Sequence, residues 1–293
     1  MRKMIKKIDI ENMSHSDWLL TRRDSIGGSE ISALMLQSKW STPLDVYNDK
    51  LGLSEPIEVN DSMFAGIYLE DGVANMFASK HLDLKVSKSP YMFIDEERPW
   101  LSANVDRILE HEDGTQGILE IKTTSSWNSK TWTTDVPYSY YCQLQHYLGI
   151  LNLDFGYVAI LIDGREFRHF SFIRDDELIA TMRAAAYKFW HNNVLLSIPP
   201  EASNDDDLKA LYPDTEAGSR LEADIIDIVN VKGYLESVKE ETLAKAKKDQ
   251  YKFKIKKSMM AMELLVDNEV IIARLKKNKA GHRILTVVKQ KDS

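Results

Sequence analysis

Residues 119–124, LEIKTT, carry the pattern on which the fold and the chemistry of this chain depend. Side chains alternate between the two faces of a β-strand, so Glu120 and Lys122 share one face while mostly apolar residues occupy the other. A solvated strand face is the simpler explanation of a lone acid-x-lysine triplet, and two more such triplets occur at residues 83–85 and 207–209. The surrounding sequence must therefore decide whether Glu120 and Lys122 have a chemical role.

A β-hairpin is predicted around this strand. Residues 100–111, WLSANVDRILEH, and residues 117–124 have the composition of two strands, and the EDGTQG segment between them is typical of a turn. Asp106, fourteen residues before Glu120, lies on the first of these predicted strands. A hairpin brings the two carboxylates to one face, where they could share a divalent cation.

The chemistry expected of this pair is metal-assisted hydrolysis of a phosphodiester. Mg²⁺ prefers oxygen ligands and keeps several waters, and the carbonyl oxygen of Ile121 can complete a coordination sphere begun by Asp106 and Glu120. Lys122 can hold or deprotonate a metal-activated water. The other two acid-x-lysine triplets lack this setting, because one follows a predicted helix and the other lies in an acidic segment.

Further candidates lie before and after the hairpin. Glu70, in the predicted helix GIYLEDGVA, could reach the same cations, and the alternative is an exposed helical acid. Gln143 and Tyr147 lie one helical turn apart, either as site residues or on a helix that packs a tyrosine. Arg22 and Ser29 flank the predicted start of a helix, where anions bind. Taken singly, each of these residues also has an ordinary structural explanation.

Taken in order, these residues resemble a known family. The segments RRDSIGGS, GIYLE, LEIK and QLQHY, with Asp106 before LEIK, follow the order found in YqaJ-type viral recombinases and lambda exonuclease, within the PD-(D/E)xK nuclease superfamily. The resemblance covers roughly residues 15–195. One departure is Val105, where the superfamily name expects proline, but a proline side chain binds no metal. The resemblance implies an α/β (α+β) restriction-endonuclease-like core with a central mixed sheet flanked by helices.

The resemblance also implies a metal site. Asp106 and Glu120 would be ligands of a divalent cation, together with the carbonyl oxygen of Ile121. Glu70 would serve a second cation, so that two Mg²⁺ ions are expected at each site, with Mn²⁺ as a substitute.

The remaining residues of the set are implied to act on water and on the end of the substrate. Lys122 would position or activate the attacking water. Gln143 would orient Lys122 or a metal-bound water, with Tyr147 as an accessory residue. Arg22 and Ser29 would grip a 5′-phosphate.

The family implies an activity and partners. Its members are Mg²⁺-dependent exonucleases that degrade the 5′ strand of linear double-stranded DNA, which produces 3′ single-stranded tails for recombination. Related members form homo-oligomeric rings around DNA and work beside a single-strand annealing protein. Two alternatives stay open: a PD-(D/E)xK endonuclease, restriction or structure-specific, and a catalytically inactive module that binds DNA ends. Trp127 and Trp132 could stack on frayed bases or pack in a core or subunit contact.

Composition limits the class of protein. The chain has 293 residues, of which 43% are hydrophobic and 28% charged, as expected for a soluble globular protein. No apolar run approaches the roughly 18 residues of a membrane span, and the N-terminus lacks the apolar stretch of a signal peptide. Cys142 is the single cysteine, which excludes an internal disulfide and cysteine-based metal clusters. We therefore expect no membrane association and a cytoplasmic location in a bacterial host.

Charge is unevenly distributed along the chain. The net charge is −7, yet residues 232–293 hold 16 Lys and Arg against 8 Asp and Glu. Residues 1–231 hold 22 basic and 37 acidic residues. We predict a nuclease core over residues 1–200, an acidic linker over 201–231, and a C-terminal extension of basic helix and hairpin over 232–293. This extension could meet a phosphate backbone or an acidic partner.

Overall fold

The computed structural model describes residues 4–55, 60–127, 132 and 135–288. The chain forms two compact units, Met1–Asp214 and Thr215–Ser293. The elements of the first unit are, in chain order, β1 (Ile5–Asp9), α1 (His15–Arg23), α2 (Gly28–Leu34), α3 (Pro43–Lys50), α4 (Asp61–Lys80), β2 (Leu84–Lys88), β3 (Tyr91–Asp95), β4 (Ser102–Ala103), β5 (Arg107–His111), β6 (Gln116–Thr124), α5 (Tyr138–Leu151), β7 (Phe155–Ile162), β8 (Glu166–Ile173), α6 (Asp176–Phe189) and α7 (Asp205–Leu211). A π-helical turn, Trp190–Val194, continues α6. The second unit consists of α8 (Ile225–Met259), β9 (Leu264–Asp267), β10 (Val270–Lys277) and β11 (Arg283–Val287).

A five-stranded mixed sheet forms the centre of the first unit. Its strand order is β2-β5-β6-β7-β8, in which β6 and β7 pair in parallel and the other neighbours pair antiparallel. Parallel neighbours need a crossover connection, and α5 lies within the one between β6 and β7. The α/β architecture with a central mixed sheet flanked by helices is therefore confirmed. A smaller sheet, of order β1-β3-β4, lies in the same unit.

The two faces of β6 differ in the way that the sequence alternation predicts. Leu119 and Ile121 are buried in a hydrophobic cluster that includes residues of α4. Glu120 instead hydrogen-bonds to Gln143 of α5. Because burying an apolar side chain of this size contributes roughly 1.5–3 kcal/mol, a one-residue slip of β6 would be costly. The apolar face thus fixes the register that places Glu120 and Lys122 toward α5.

The crossover helix α5 is buried along most of its length. Residues 142–150 are all buried, and this run includes Cys142 and the predicted site residue Gln143. Strand β7 is buried from residue 158 to 162, as is typical of a central strand with a parallel neighbour. The helix ends at Asn152, whose φ of 55° and ψ of 49° lie in the left-handed region that commonly terminates helices.

Two features of the first unit differ from the sequence prediction. No strand was predicted at Ile5–Asp9, which pairs antiparallel with β3; its side chains are largely exposed, so its hydrophobic pattern is weak. The segment predicted as an acidic linker, residues 201–231, contains α7. Within α7, Asp207 is buried and accepts a hydrogen bond from Thr42 Oγ1 at 2.8 Å. The boundary between units falls after Asp214, so the first half of that segment belongs to the first unit.

The second unit has a small core of its own. Helix α8 begins at Ile225, where the Asp224 side chain accepts the N–H groups of residues 226 and 227. The strands form an antiparallel sheet of order β11-β10-β9, so β9 adds a third strand to the predicted hairpin. Met259 of α8 is buried with Ala273 and Leu275 of β10. No helix in the described ranges is long and apolar enough to cross a membrane.

Candidate active site

The site forms where β6 extends beyond its pairing with β5. That pairing ends with Arg107 opposite Leu119, and β6 continues beside β7. Asp106 lies in the bend just before β5, rather than on the strand as predicted, and its Oδ2 accepts the Ile121 N–H at 2.7 Å. Because the N–H and C=O of one strand residue project from the same edge, the Ile121 carbonyl faces the side on which Asp106 lies.

The two oxygens of the buried Glu120 carboxylate have different surroundings. Oε1 accepts hydrogen bonds from Lys122 Nζ at 2.7 Å and from Gln143 Nε2 at 2.6 Å. Oε2 is buried and has no hydrogen-bond partner among the described residues. An unpaired buried oxygen of a charged group is costly, and such atoms in native proteins commonly bind an ion or water. Glu120 therefore presents one oxygen for a ligand.

Electrostatics at this position favour a bound cation. Burial raises the pKa of Asp106 well above its usual value, and the carboxylates of Glu120 and Glu70 raise it further. Burial also raises the pKa of Glu120, although Lys122 opposes this effect. Burial alone would lower the pKa of Lys122, but the Glu120 and Asp106 carboxylates raise it above its usual range. The carboxylates thus outnumber the nearby lysine, and a divalent cation would relieve their repulsion.

The donor set fits a hard cation such as Mg²⁺. Asp106, Glu120 and the carbonyl of Ile121 supply oxygen ligands, and Glu120 Oε2 is the unpaired buried atom that a cation would satisfy. Within the described ranges, no three His, Cys, Asp or Glu side chains are grouped so that they could hold a metal by themselves. Two carboxylates with a main-chain oxygen and waters match the way Mg²⁺ is usually bound.

Arg107 is a residue of the site that was not predicted from the sequence. Its Nη1 donates to Glu70 Oε1 at 2.5 Å and to the main-chain oxygen of Asp106 at 2.6 Å, while Nη2 donates to Asp71. It is buried, with 4% of its surface exposed. By alternation Arg107 shares its face of β5 with Leu109, which packs against α4. An arginine at an apolar strand position requires acidic partners, and this signal could have revealed it.

The amide of Gln143 contacts Glu120 rather than Lys122. Its Nε2 donates to Glu120 Oε1 and also lies 3.2 Å from the Tyr147 hydroxyl. Both residues also lie against α2, where a Cβ on Gly28 would lie 2.5 Å from the Tyr147 ring. Burial raises the pKa of Tyr147 above its usual value, and the nearby Glu120 charge adds to this. Gln143 therefore holds one oxygen of Glu120 in place, and Tyr147 in turn contacts the Gln143 amide.

A second cluster contains the predicted phosphate-binding residues. Arg22 Nη2 donates to Ser29 Oγ at 3.2 Å, and the guanidinium lies 4.8 Å from the centre of the Trp18 ring. The buried Lys50 Nζ donates to the Arg22 carbonyl at 2.9 Å and to Glu30 Oε1 at 2.8 Å. Burial would raise the pKa of Glu30, but the charges of Lys50 and Arg22 bring it below its usual value. The structure thus joins Arg22 and Ser29, and Ser29 is the second residue of α2, whose N-cap is Gly27.

The two tryptophans after β6 have opposite environments. Trp132 is 3% exposed and stacks on Tyr140 with 5.3 Å between ring centres, which favours the packing alternative for this residue. Trp127 is 88% exposed and remains available to bases.

Burial raises the pKa of Cys142 to about 11 and lowers that of His146 to about 4, so both are neutral core residues at pH 7.

Comparison with known proteins agrees with this fold. The profile of the YqaJ-like viral recombinase domain matches residues 17–154. The uncharacterized protein YqaJ of Bacillus subtilis (strain 168) is 35% identical over 257 residues, which cover 83% of this chain and 79% of that protein.

Solved structures show the same architecture. The alkaline exonuclease LHK-Exo from Laribacter hongkongensis superposes with a TM-score of 0.53 at 18% identity, over 62% of this chain and 94% of that chain. LHK-Exo in complex with dAMP gives the same TM-score and identity, over 67% of this chain and 97% of that chain. The fold is therefore that of the lambda-exonuclease-like nucleases. Within that class, the chain belongs to the YqaJ-like viral recombinase family.

Proposed function

We propose that the protein is a Mg²⁺-dependent exonuclease that digests linear double-stranded DNA in the 5′→3′ direction and leaves 3′ single-stranded tails for recombination by annealing. The observation that carries this proposal is the unpaired, buried Oε2 of Glu120 beside the Asp106 carboxylate. It supplies a place for a divalent cation on a fold shared with alkaline exonucleases.

Asp106, Glu120 and the Ile121 carbonyl would hold the first cation, and Glu70 would serve a second. When bound, two such ions activate water and stabilise the attacking and leaving oxygens of a phosphodiester. Mn²⁺ is expected to substitute for Mg²⁺, because it accepts the same oxygen ligands.

The protein's own side chains orient the reacting groups. The ammonium group of Lys122 would position the attacking water, and its Nζ lies 2.7 Å from Glu120 Oε1. Gln143, held by Tyr147, keeps the same Glu120 oxygen in place. With Oε1 fixed by two donors, Oε2 is the oxygen that Glu120 offers to a metal.

Arg22 and Ser29 would bind the 5′-phosphate of the strand being digested. Their side chains already meet at 3.2 Å, and a guanidinium with a hydroxyl is a suitable donor pair for phosphate oxygens. Anchoring the 5′ end would set the polarity of digestion.

We also propose a ring-shaped homo-oligomer that works beside a single-strand annealing protein in the cytoplasm of a bacterial host. Residues 1–231 carry 37 acidic against 22 basic residues, so their net charge does not attract DNA. A ring that encloses the DNA would keep the enzyme on its substrate without that attraction.

Digestion of end-labelled linear duplex with Mg²⁺ tests the reaction. We expect early loss of a 5′ label, survival of a 3′ label and no cutting of closed circles. Lys122→Ala should abolish Mg²⁺-dependent nucleotide release while DNA-end binding persists. Cutting of intact circles would favour the endonuclease alternative, and release by Lys122→Ala at the wild-type rate would refute its role.

The phosphate pocket is tested by comparing duplexes with 5′-phosphate and 5′-hydroxyl ends. We expect the wild type to prefer the phosphorylated end, and Arg22→Ala to lose that preference because a charge-assisted hydrogen bond is removed. Arg23→Ala is the matched control, since Arg23 pairs with Asp49 at 3.7 Å. Equal rates on both ends with the wild type would contradict the assignment.

A further inference from the structure

The C-terminal unit carries a basic surface that the proposed active site does not use. Residues 232–293 hold 16 basic and 8 acidic side chains, whereas the rest of the chain is acidic. The surface begins on α8, where residues 225–254 are exposed. The positions of the basic side chains on this surface indicate which kind of partner it binds.

Lysines form a stripe along the second half of α8. At about 100° per residue, the four members fall within about 80° of one another around the helix axis and extend about 16 Å along it. The stripe consists of Lys245, Lys248, Lys252 and Lys256. Two carboxylates border it: Glu241, one turn before Lys245, and Asp249.

The stripe continues onto the small sheet. On the same side of α8, Ile255 and Met259 pack against the sheet, and Lys256 Nζ donates to the main-chain oxygen of Arg283 at 2.7 Å. Arg283 pairs with Lys277 across β10 and β11. An open cleft of about 460 Å³ lies there, and Lys276, Lys277 and Arg283 are among its lining residues. We call the lysine stripe with Lys277 and Arg283 the basic face.

We propose that the basic face binds the phosphate backbone of DNA independently of sequence, an inference that rests on the proposed function of the first unit. Lysine ammonium groups are mobile point charges that suit phosphates, and each neutralised phosphate adds to affinity by releasing counterions. A protein partner is disfavoured, because protein interfaces are depleted in lysine and enriched in aromatic residues. The exposed aromatic residues of this part of α8, Tyr251 and Phe253, lie on other sides of the helix. The basic face thus gives an acidic enzyme a hold on its substrate that does not involve the active-site residues.

The test measures DNA binding by the full-length protein at several salt concentrations. A fluorescent duplex is titrated in EDTA, so that no digestion occurs, between about 50 and 200 mM KCl. The basic-face variant is Lys245→Gln, Lys248→Gln and Lys252→Gln combined. The matched control, Lys232→Gln, Lys239→Gln and Lys257→Gln, removes the same charge from α8 about 120° or more around the helix.

We expect the plot of log affinity against log salt to become less steep by about three for the basic-face variant, equally for two unrelated sequences. The control should keep the wild-type slope, and lysine-to-arginine replacements on the basic face should retain it. Mg²⁺-dependent release from saturating duplex should be unchanged in all variants, because the catalytic residues are intact.

Equal slopes for the basic-face variant and the control would overturn the inference. If the wild type meanwhile digests DNA, the proposed function stands and only the basic face is refuted. If the wild type neither binds nor digests DNA with any divalent cation, the proposed function fails and this inference fails with it.

Discussion

At the scale of single residues, the asymmetry of the Glu120 carboxylate determines what the site can bind. Lys122 and Gln143 satisfy Oε1, whereas Oε2 is left for a ligand. The Asp106 carboxylate is also partly committed, since Oδ2 accepts the Ile121 N–H. The protein thus fixes one oxygen of each carboxylate, and Glu120 Oε2 is the oxygen that we propose a cation binds.

We expect Arg107 to affect the proposed metal site through Glu70. Replacing it with lysine keeps the charge but loses the planar fork that reaches Glu70, Asp71 and the Asp106 main chain together. We expect Arg107→Lys to weaken Mn²⁺ binding by about 10–100-fold, the usual effect of removing a partner of a ligand. Free Mn²⁺ measured by electron paramagnetic resonance, without DNA, gives the dissociation constant.

The control for this prediction is Arg168→Lys, because Arg168 pairs with Glu166 of β8. It should bind Mn²⁺ like the wild type. If Arg107→Lys lowers only the unfolding free energy and leaves Mn²⁺ affinity unchanged, Arg107 is a structural link between α4 and β5 and the prediction is wrong.

Some of these residues were predictable because their geometry is local. Alternation along β6 places Glu120 and Lys122 on one face, and helical spacing places Gln143 beside Tyr147. Arg107 and the unpaired Glu120 oxygen depend on how α4 and α5 pack across the sheet. No short-range spacing encodes that packing. The sequence could therefore mark Arg107 as an arginine at an apolar strand position, but it could not give its partners or the unpaired oxygen.

At the scale of elements, the contact between α2 and α5 supports the site. A Cβ on Gly28 would lie 2.5 Å from Tyr147 and 2.8 Å from Gln143, so only glycine allows this approach. Elements with strong hydrophobic periodicity, such as α4 and β6, were predicted from the sequence. Strands β1 and β9 were not predicted, because their side chains are largely exposed and leave little hydrophobic pattern. Close approach of two helices leaves no periodic signal, so the role of Gly28 emerges only from the fold.

Gly28→Ala is therefore expected to damage both stability and activity. The added methyl must displace Tyr147 and Gln143, and overpacking of this kind costs about 1–3 kcal/mol. Urea unfolding and Mg²⁺-dependent nucleotide release measure the two effects. Gly72→Ala on α4 is the matched control: its Cβ meets nothing within 4 Å, so it should stabilise the helix by roughly 0.5–1 kcal/mol. Wild-type behaviour of Gly28→Ala would refute the packing argument.

At the scale of the whole molecule, the chain divides after Asp214 into units with separate cores. The acidic composition of residues 201–231 predicted a linker, but composition does not reveal that α7 packs on the first unit. There Asp207 accepts hydrogen bonds from Thr42 Oγ1 at 2.8 Å and from the Ser203 N–H at 2.8 Å, and Leu211 packs against the main core. Removing these contacts should therefore lower the free energy of unfolding of the first unit.

Two truncations distinguish the predicted boundary from the observed one. A chain ending at residue 214 should fold and keep Mg²⁺-dependent nuclease activity, because it retains α7 and the whole active site. A chain ending at residue 200 loses the Asp207 contacts with Thr42 and Ser203 and the packing of Leu211, which should lower the free energy of unfolding by about 1–3 kcal/mol. Urea midpoints of both chains measure the difference, and Asp207→Ala in the longer chain should reproduce part of it. Equal midpoints would mean that α7 adds nothing to the core and that the predicted boundary at residue 200 is the physical one.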